Sequence, residues 1–118
     1  MSNFLSKYKS VYDVFLDNWG YQNHFVAYLE SLMRQETLLP THIKEMSFAY
    51  VSGLNGCGYC KNIHAEISKK ILRDKNDLDF INDIEQSQIE DRYKPILKLS
   101  HKVNEEIHSI TEEDVTAI

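Results

Sequence analysis

Ten consecutive residues hold the reactive groups that stand out in this chain: Asn55-Gly56-Cys57-Gly58-Tyr59-Cys60-Lys61-Asn62-Ile63-His64. Both cysteines of the chain lie here, three positions apart. At a helix start that spacing brings them within disulfide reach of each other. The first-turn N–H groups and the helix dipole stabilise a thiolate at such a place. A stabilised thiolate supplies more nucleophile at neutral pH and is a better leaving group in exchange. Gly56 and Gly58 allow close backbone approach and leave the thiols uncrowded. Tyr59 could pack over the pair or donate a hydrogen bond; the plainer reading is core or interface packing.

His64 follows Cys60 by four positions and Cys57 by seven, so on one helix all three share a face. It could relay a proton from Cys60 or hold its thiolate as an ion pair. A lone helical histidine is otherwise a structural or exposed residue. Glu45 is the third element. It sits near Phe48 and Ala49 in a segment that otherwise reads as buried, and carboxylates are seldom buried without a partner. If the Asn55-Gly56 turn folds the two flanking segments together, Glu45 faces the cysteines and could act as terminal base through His64 or water. Its alternative is a rim residue paired with Lys44 or Lys61.

The elements that must position these residues read as helices, because apolar residues recur with a helical period nearly throughout. The first is expected over about Ser2 to Trp19, with Phe4, Tyr8, Val11, Tyr12, Phe15 and Trp19 on one face and Gly20 as its stop. The second runs from about Tyr21 to Gln35, its apolar side formed by Phe25, Tyr28, Leu29, Leu32 and Met33. A third begins at Pro40, a residue suited to a first helical turn. Its core stripe is Ile43, Met46, Tyr50 and Leu54, with Phe48, Ala49 and Val51 extending it. A fourth starts at or near Cys57 and continues to about Arg73. Leu78 to Ile84 and Glu90 to Ile107 read as a fifth and a sixth. Thr111 to Asp114 resembles a capped helix start with only Val115 to Ile118 to continue it.

Composition bounds the possibilities. The chain has 118 residues, with 18 Asp and Glu against 13 Lys and Arg, a formal charge of −5. The length predicts one domain over 1–118 and is short for a two-domain enzyme or a complete dinucleotide-binding domain. Four glycines and two prolines are too few for the turns of a β-sandwich or barrel. The negative charge and the lack of a basic stripe speak against nucleic acid as a partner. No apolar run approaches the roughly 20 residues of a membrane span. The N-terminal Met1 to Lys7 has no basic region ahead of an apolar core, so a signal peptide is not expected and a cytoplasmic location is the default.

Leu39-Pro40-Thr41-His42-Ile43-Lys44-Glu45, Asn55 to Cys60 and His64 together resemble the alkylhydroperoxidase D-like, carboxymuconolactone decarboxylase superfamily. The match is a Glu twelve residues before the first Cys, followed by Cys-x-x-Cys-x-x-x-His. Arg92 to Lys102 and Ile110 to Val115 resemble the family's later helix and connector, so the resemblance covers about residues 21–118. It implies an all-α, AhpD-like fold in which a helix pair carries the redox-active cysteine motif, with shortened C-terminal helices in this chain. It implies a peroxidatic Cys60, a resolving Cys57, and Glu45 and His64 as the proton relay. Tyr59 stands where the best-studied hydroperoxidase D type has a histidine, as in many peroxidase-related relatives. The cysteine pair points to the redox branch of the superfamily.

The function expected is a thiol-dependent peroxidase or disulfide oxidoreductase. It would reduce a small organic hydroperoxide or a lipoyl-type disulfide, without metal, haem or flavin. An external dithiol, lipoyl or thioredoxin-like reductant would regenerate it, and the chain would form a homo-oligomer, a trimer or hexamer. Two readings compete. Cys57, Cys60, His64 and Glu45 are chemically plausible zinc ligands in a redox-sensing module, although three ligands crowded on eight residues strain that geometry. The chain could also be a non-enzymatic helical interaction protein with incidental cysteines.

Overall fold

The computed structural model describes residues 13, 17, 20–35, 37–72 and 83–118. Among these residues every regular element is a helix. They fall into two compact units, Met1–Gln35 and Glu36–Ile118. The first unit contributes helix α1, Gly20–Arg34. The second contributes α2 (Thr41–Leu54), α3 (Gly58–Leu72), a 3-10 turn (Asp91–Tyr93), α4 (Lys94–Glu105), a second 3-10 turn (Ile107–Ser109) and α5 (Glu112–Thr116). No described helix is long and apolar enough to cross a membrane.

Gly20 opens α1 where a stop was expected. Phe25, Tyr28 and Leu32 are exposed on that helix while Met33 is buried, so the expected apolar stripe is not a core face along its length. The helix expected over residues 2–19, with Phe15 and Trp19 on its apolar face, lies outside the described residues apart from two isolated positions. So does most of the helix expected over 78–84.

Helix α2 starts one residue later than the proline rule suggests. Pro40 caps it with an extended ψ of 147°, and the Pro40 carbonyl accepts from the Ile43 and Lys44 N–H groups at 3.0 and 3.1 Å. Proline has no N–H to lose at this end, which suits it to the position. At the other end the chain makes a Schellman turn. The Gly56 N–H donates to the Gly53 carbonyl at 3.1 Å and the Cys57 N–H to the Ser52 carbonyl at 2.9 Å. Gly56 takes φ +72°, the left-handed conformation that this motif requires and that glycine adopts without a Cβ penalty.

The turn is so short that α2 and α3 must run antiparallel. Their register is set by two contacts across the pair. Ser68 Oγ donates to the His42 carbonyl at 3.1 Å, and Glu45 meets His64. Ala49 and Ala65 are fully buried, and their small side chains let the two backbones approach closely. Ile43, Met46 and Tyr50 of α2 join Ala65, Tyr93 and Leu97 in the core of this unit.

Helix α4 closes the core from one side through Leu97, which is 1% exposed. The single helix expected over 90–107 is divided. Pro95 occupies its first turn, and the preceding Asp91–Tyr93 forms a tighter 3-10 turn. At the chain's far end the expected cap is present in full. Thr111 Oγ1 accepts from the Asp114 N–H, and the Asp114 carboxylate accepts from the Thr111 N–H at 2.8 Å. Lys102 of α4 donates to both oxygens of Asp114 at 2.7 and 2.8 Å, which fastens α5 to α4.

Candidate active site

Cys57 and Cys60 are joined in a disulfide with Cα atoms 5.4 Å apart, within the ordinary span of such a bond. They occupy different structural positions. Helix α3 begins at Gly58, so Cys57 is its N-cap and Cys60 lies in its first turn. The Cys57 carbonyl accepts the first helical bond, from the Lys61 N–H at 2.9 Å. Its sulfur accepts from the Cys60 N–H at 3.3 Å, the place that a Ser, Thr or Asp oxygen takes at an ordinary cap. The three residues Cys57, Cys60 and His64 therefore do not all lie on helical backbone. Cys60 and His64 do, one turn apart.

Glu45 and His64 are brought together from 19 positions apart. Glu45 is 0% exposed and its Oε2 lies 2.6 Å from His64 Nδ1, while the His64 side chain remains 26% exposed. The rim alternative for Glu45 is thereby overturned, since a buried carboxylate on α2 faces α3 and not solvent. His64 Nδ1 and Glu45 Oε2 share one proton in this contact, which leaves Nε2 as the second ring nitrogen. At 2.6 Å the contact is in the short range of hydrogen bonds. The four-residue spacing along α3 puts His64 one helical turn from Cys60, and the helix pair brings Glu45 to His64.

Phe48 was expected in the core and is instead half-exposed. Its ring lies 5.1 Å from that of His64, centroid to centroid. It thus shields one side of the imidazole. Helical periodicity marks Phe48 as apolar but does not assign it to the site, because α2 is apolar on several faces. Tyr59 is 61% exposed, so the core-packing reading is set aside. It stands on the first turn of α3, immediately before Cys60.

Two further contacts hold the turn, and neither was legible as a pair. The Asn55 and Asn104 side-chain amides exchange hydrogen bonds of 3.1 and 2.9 Å. The Tyr50 hydroxyl lies 3.1 Å from His101 Nδ1, and burial together with the Glu105 carboxylate pushes the Tyr50 phenol above its ordinary range. Both pairs join the C-terminal end of α2 to α4. At the opposite end, burial lowers His42 below its ordinary range against the opposing pull of Glu90. His42 packs edge-on against Tyr93 and is remote along α2 from the cysteine turn. As to the zinc reading, no group of three or more His, Cys, Asp or Glu side chains among the described residues is arranged to hold a metal ion.

The all-α fold, with Cys-x-x-Cys at the turn of an antiparallel helix pair, is AhpD-like. The likeness is to a solved structure described as an alkylhydroperoxidase AhpD core, an uncharacterised peroxidase-related protein from Ralstonia eutropha JMP134. The TM-score is 0.73 at 25% identity, over 83% of this chain and 52% of that one. The chain thus spans about half the length of that structure. No family model matches the sequence, and no curated protein does.

Proposed function

We propose that the chain is a thiol-dependent oxidoreductase of the alkylhydroperoxidase type, with Cys60 as attacking sulfur and Cys57 as resolving sulfur. The observation that carries this reading is the buried Glu45 carboxylate 2.6 Å from His64, one helical turn from a Cys57–Cys60 disulfide. A carboxylate, an imidazole and a thiol in that order form a base–relay–nucleophile series. The peroxidase-related description of the similar structure supports the same class.

In the proposed cycle His64 Nε2 takes the Cys60 proton, and Glu45 stabilises the imidazolium formed. The Cys60 thiolate attacks one peroxide oxygen and the O–O bond breaks. The departing alkoxide takes a proton from His64, which leaves an alcohol and a Cys60 sulfenic acid. The Cys57 sulfur displaces hydroxide from that sulfenic acid, giving water and the disulfide seen here. An external dithiol, free or lipoyl-bound, then returns two electrons and two protons and becomes a disulfide itself. A lipoyl-type disulfide as substrate would use the same Cys60 attack on sulfur in place of oxygen. The half-exposed Phe48 beside His64 and the exposed Tyr59 suit an organic hydroperoxide better than a charged one. Tyr59, one residue before Cys60, is proposed to border the incoming substrate, and a homo-oligomer is part of this reading.

The test is steady-state reduction of cumene hydroperoxide and of lipoamide, with dihydrolipoamide or dithiothreitol as reductant for the peroxide. Wild type should turn over at least one of them, and Cys60→Ser should abolish it. Cys57→Ser should keep a single stoichiometric reaction with peroxide and lose recycling. No turnover with any of these substrates, or turnover retained in Cys60→Ser, would overturn the proposal.

A further inference from the structure

The Cys57–Cys60 bond requires one cysteine inside helix α3 and one outside it. Cys60 is held by the helix. Cys57 ends the three-residue turn Asn55-Gly56-Cys57, whose Asn55 is the C-cap of α2, and is held there by backbone bonds to Ser52 and Lys61. The turn's own backbone bonds hold it from within. What holds it from outside is α4. Asn55 Nδ2 donates to Asn104 Oδ1 at 3.1 Å, and Asn104 Nδ2 donates back to Asn55 Oδ1 at 2.9 Å. Each carboxamide carries both a donor and an acceptor, so two of them can exchange bonds in both directions. The Asn104 amide is oriented further by the Glu105 carboxylate, to which Asn104 Nδ2 donates at 2.6 Å. One turn back along each helix, Tyr50 and His101 make the second join.

We infer that Asn104 of α4 is a positioning residue for the cysteine pair, acting through Asn55 to hold Cys57 in disulfide register with Cys60. The inference rests on the redox reading of the two cysteines but not on peroxide as substrate. Its physical basis is the difference between the two redox states. In the disulfide state the bond itself restrains the turn, and the amide pair adds little. In the dithiol state the covalent restraint is gone, and the amide pair adds to the turn's backbone bonds in keeping the Cys57 sulfur near Cys60. Removing it releases more conformational freedom in the dithiol than in the disulfide, so the effective concentration of one thiol toward the other falls. The disulfide then becomes easier to reduce and slower to form.

The experiment is redox equilibration of the full chain in buffers of reduced and oxidised glutathione, with alkylation and mass measurement of the dithiol fraction. Two glutathione thiols are oxidised to one glutathione disulfide as the Cys57–Cys60 bond takes up two electrons and two protons. Asn104→Ala should shift the equilibrium toward the dithiol by about three- to ten-fold, the range for losing one or two exposed hydrogen bonds. Asn55→Ala should give the same shift, and the double variant no more than either single one, because the two residues act as one unit. Lys102→Ala, which loosens α4 at its contact with Asp114, should leave the equilibrium within about two-fold of wild type. The inference is overturned if Asn104→Ala leaves the equilibrium within that same margin, if Asn55→Ala and Asn104→Ala add independently, or if Lys102→Ala shifts it equally. This readout does not depend on turnover, so a failed peroxidase assay and a failed positioning role are separate results.

Discussion

Replacing Glu45 by Gln tests the relay at its buried end. The amide fills nearly the same volume, so the packing of α2 on α3 is kept and the charge is what changes. A hydrogen bond to an ionised partner contributes about 1.5–3 kcal/mol and a neutral one about 0.5–1.5, so the difference here is about 1.5 kcal/mol. The burial of Glu45 and the 2.6 Å contact argue against discounting that figure for solvent screening. The sign comes from the order of the series. In the proposed relay the Glu45 carboxylate stabilises the imidazolium formed when His64 takes the Cys60 proton. Losing about 1.4 kcal/mol of this support lowers the thiolate population about ten-fold at neutral pH. The assay is the rate of iodoacetamide alkylation of reduced Cys60 in a Cys57→Ser background, measured from about pH 6 to about pH 10 to bracket the thiol range. Glu45→Gln should be about ten-fold slower near pH 7 and should converge on the parent once pH exceeds the ordinary thiol range of about 8.5. Equal rates at neutral pH would refute the relay. A uniform slowing at every pH would refute it too, because that is the mark of altered access and not of proton affinity.

Other outcomes are expected from the same structure. Leu97→Ala should destabilise the chain by about 2–5 kcal/mol in urea unfolding, because Leu97 fills the core under α4 at 1% exposure. The two glycines of the cysteine turn should separate by conformation. At neither does any atom lie within 4 Å of the position a methyl group would occupy, yet only Gly56 has positive φ. Gly56→Ala should therefore cost about 1 kcal/mol and Gly58→Ala should be neutral or stabilising, as chemical denaturation of each variant would show. The Lys102 ammonium and the Thr111 N–H hold the Asp114 carboxyl down at about 2, below its unfolded value of 3.8. Its contribution is thus complete above pH 3.8 and is lost as pH falls through about 2. The protection of amides 111–117, corrected for the intrinsic pH dependence of exchange, should fall over that window, and Asp114→Asn should remove that fall.

Much of the fold is legible in local signals. Thr111 and Asp114 mark a capping box, and Asn55-Gly56 marks the turn, because caps and left-handed positions depend on a few adjacent residues. The start of α4 is not legible in the same way. The apolar period runs on through Glu90, while Pro95 confines the regular helix to the residues after Tyr93. Phe48 reads as a core residue for a related reason. Period shows which residues of α2 are apolar but not which apolar face is left over after α3 and α4 have packed.

The sequence by itself determined which reactive groups lie close along the chain. Cys60 and His64, four residues apart, share a face of any helix with about 3.6 residues per turn, and Cys57 caps that helix three residues before Cys60, without help from the rest of the molecule. The tertiary structure alone decided how those groups are supported. Glu45 meets His64 across 19 residues only because Ala49 and Ala65 let two antiparallel helices close on each other in one register. Asn104 meets Asn55 across 49 residues only because Leu97 seats α4 against the same core. Those partners are chosen by packing over the whole unit, which no local spacing encodes.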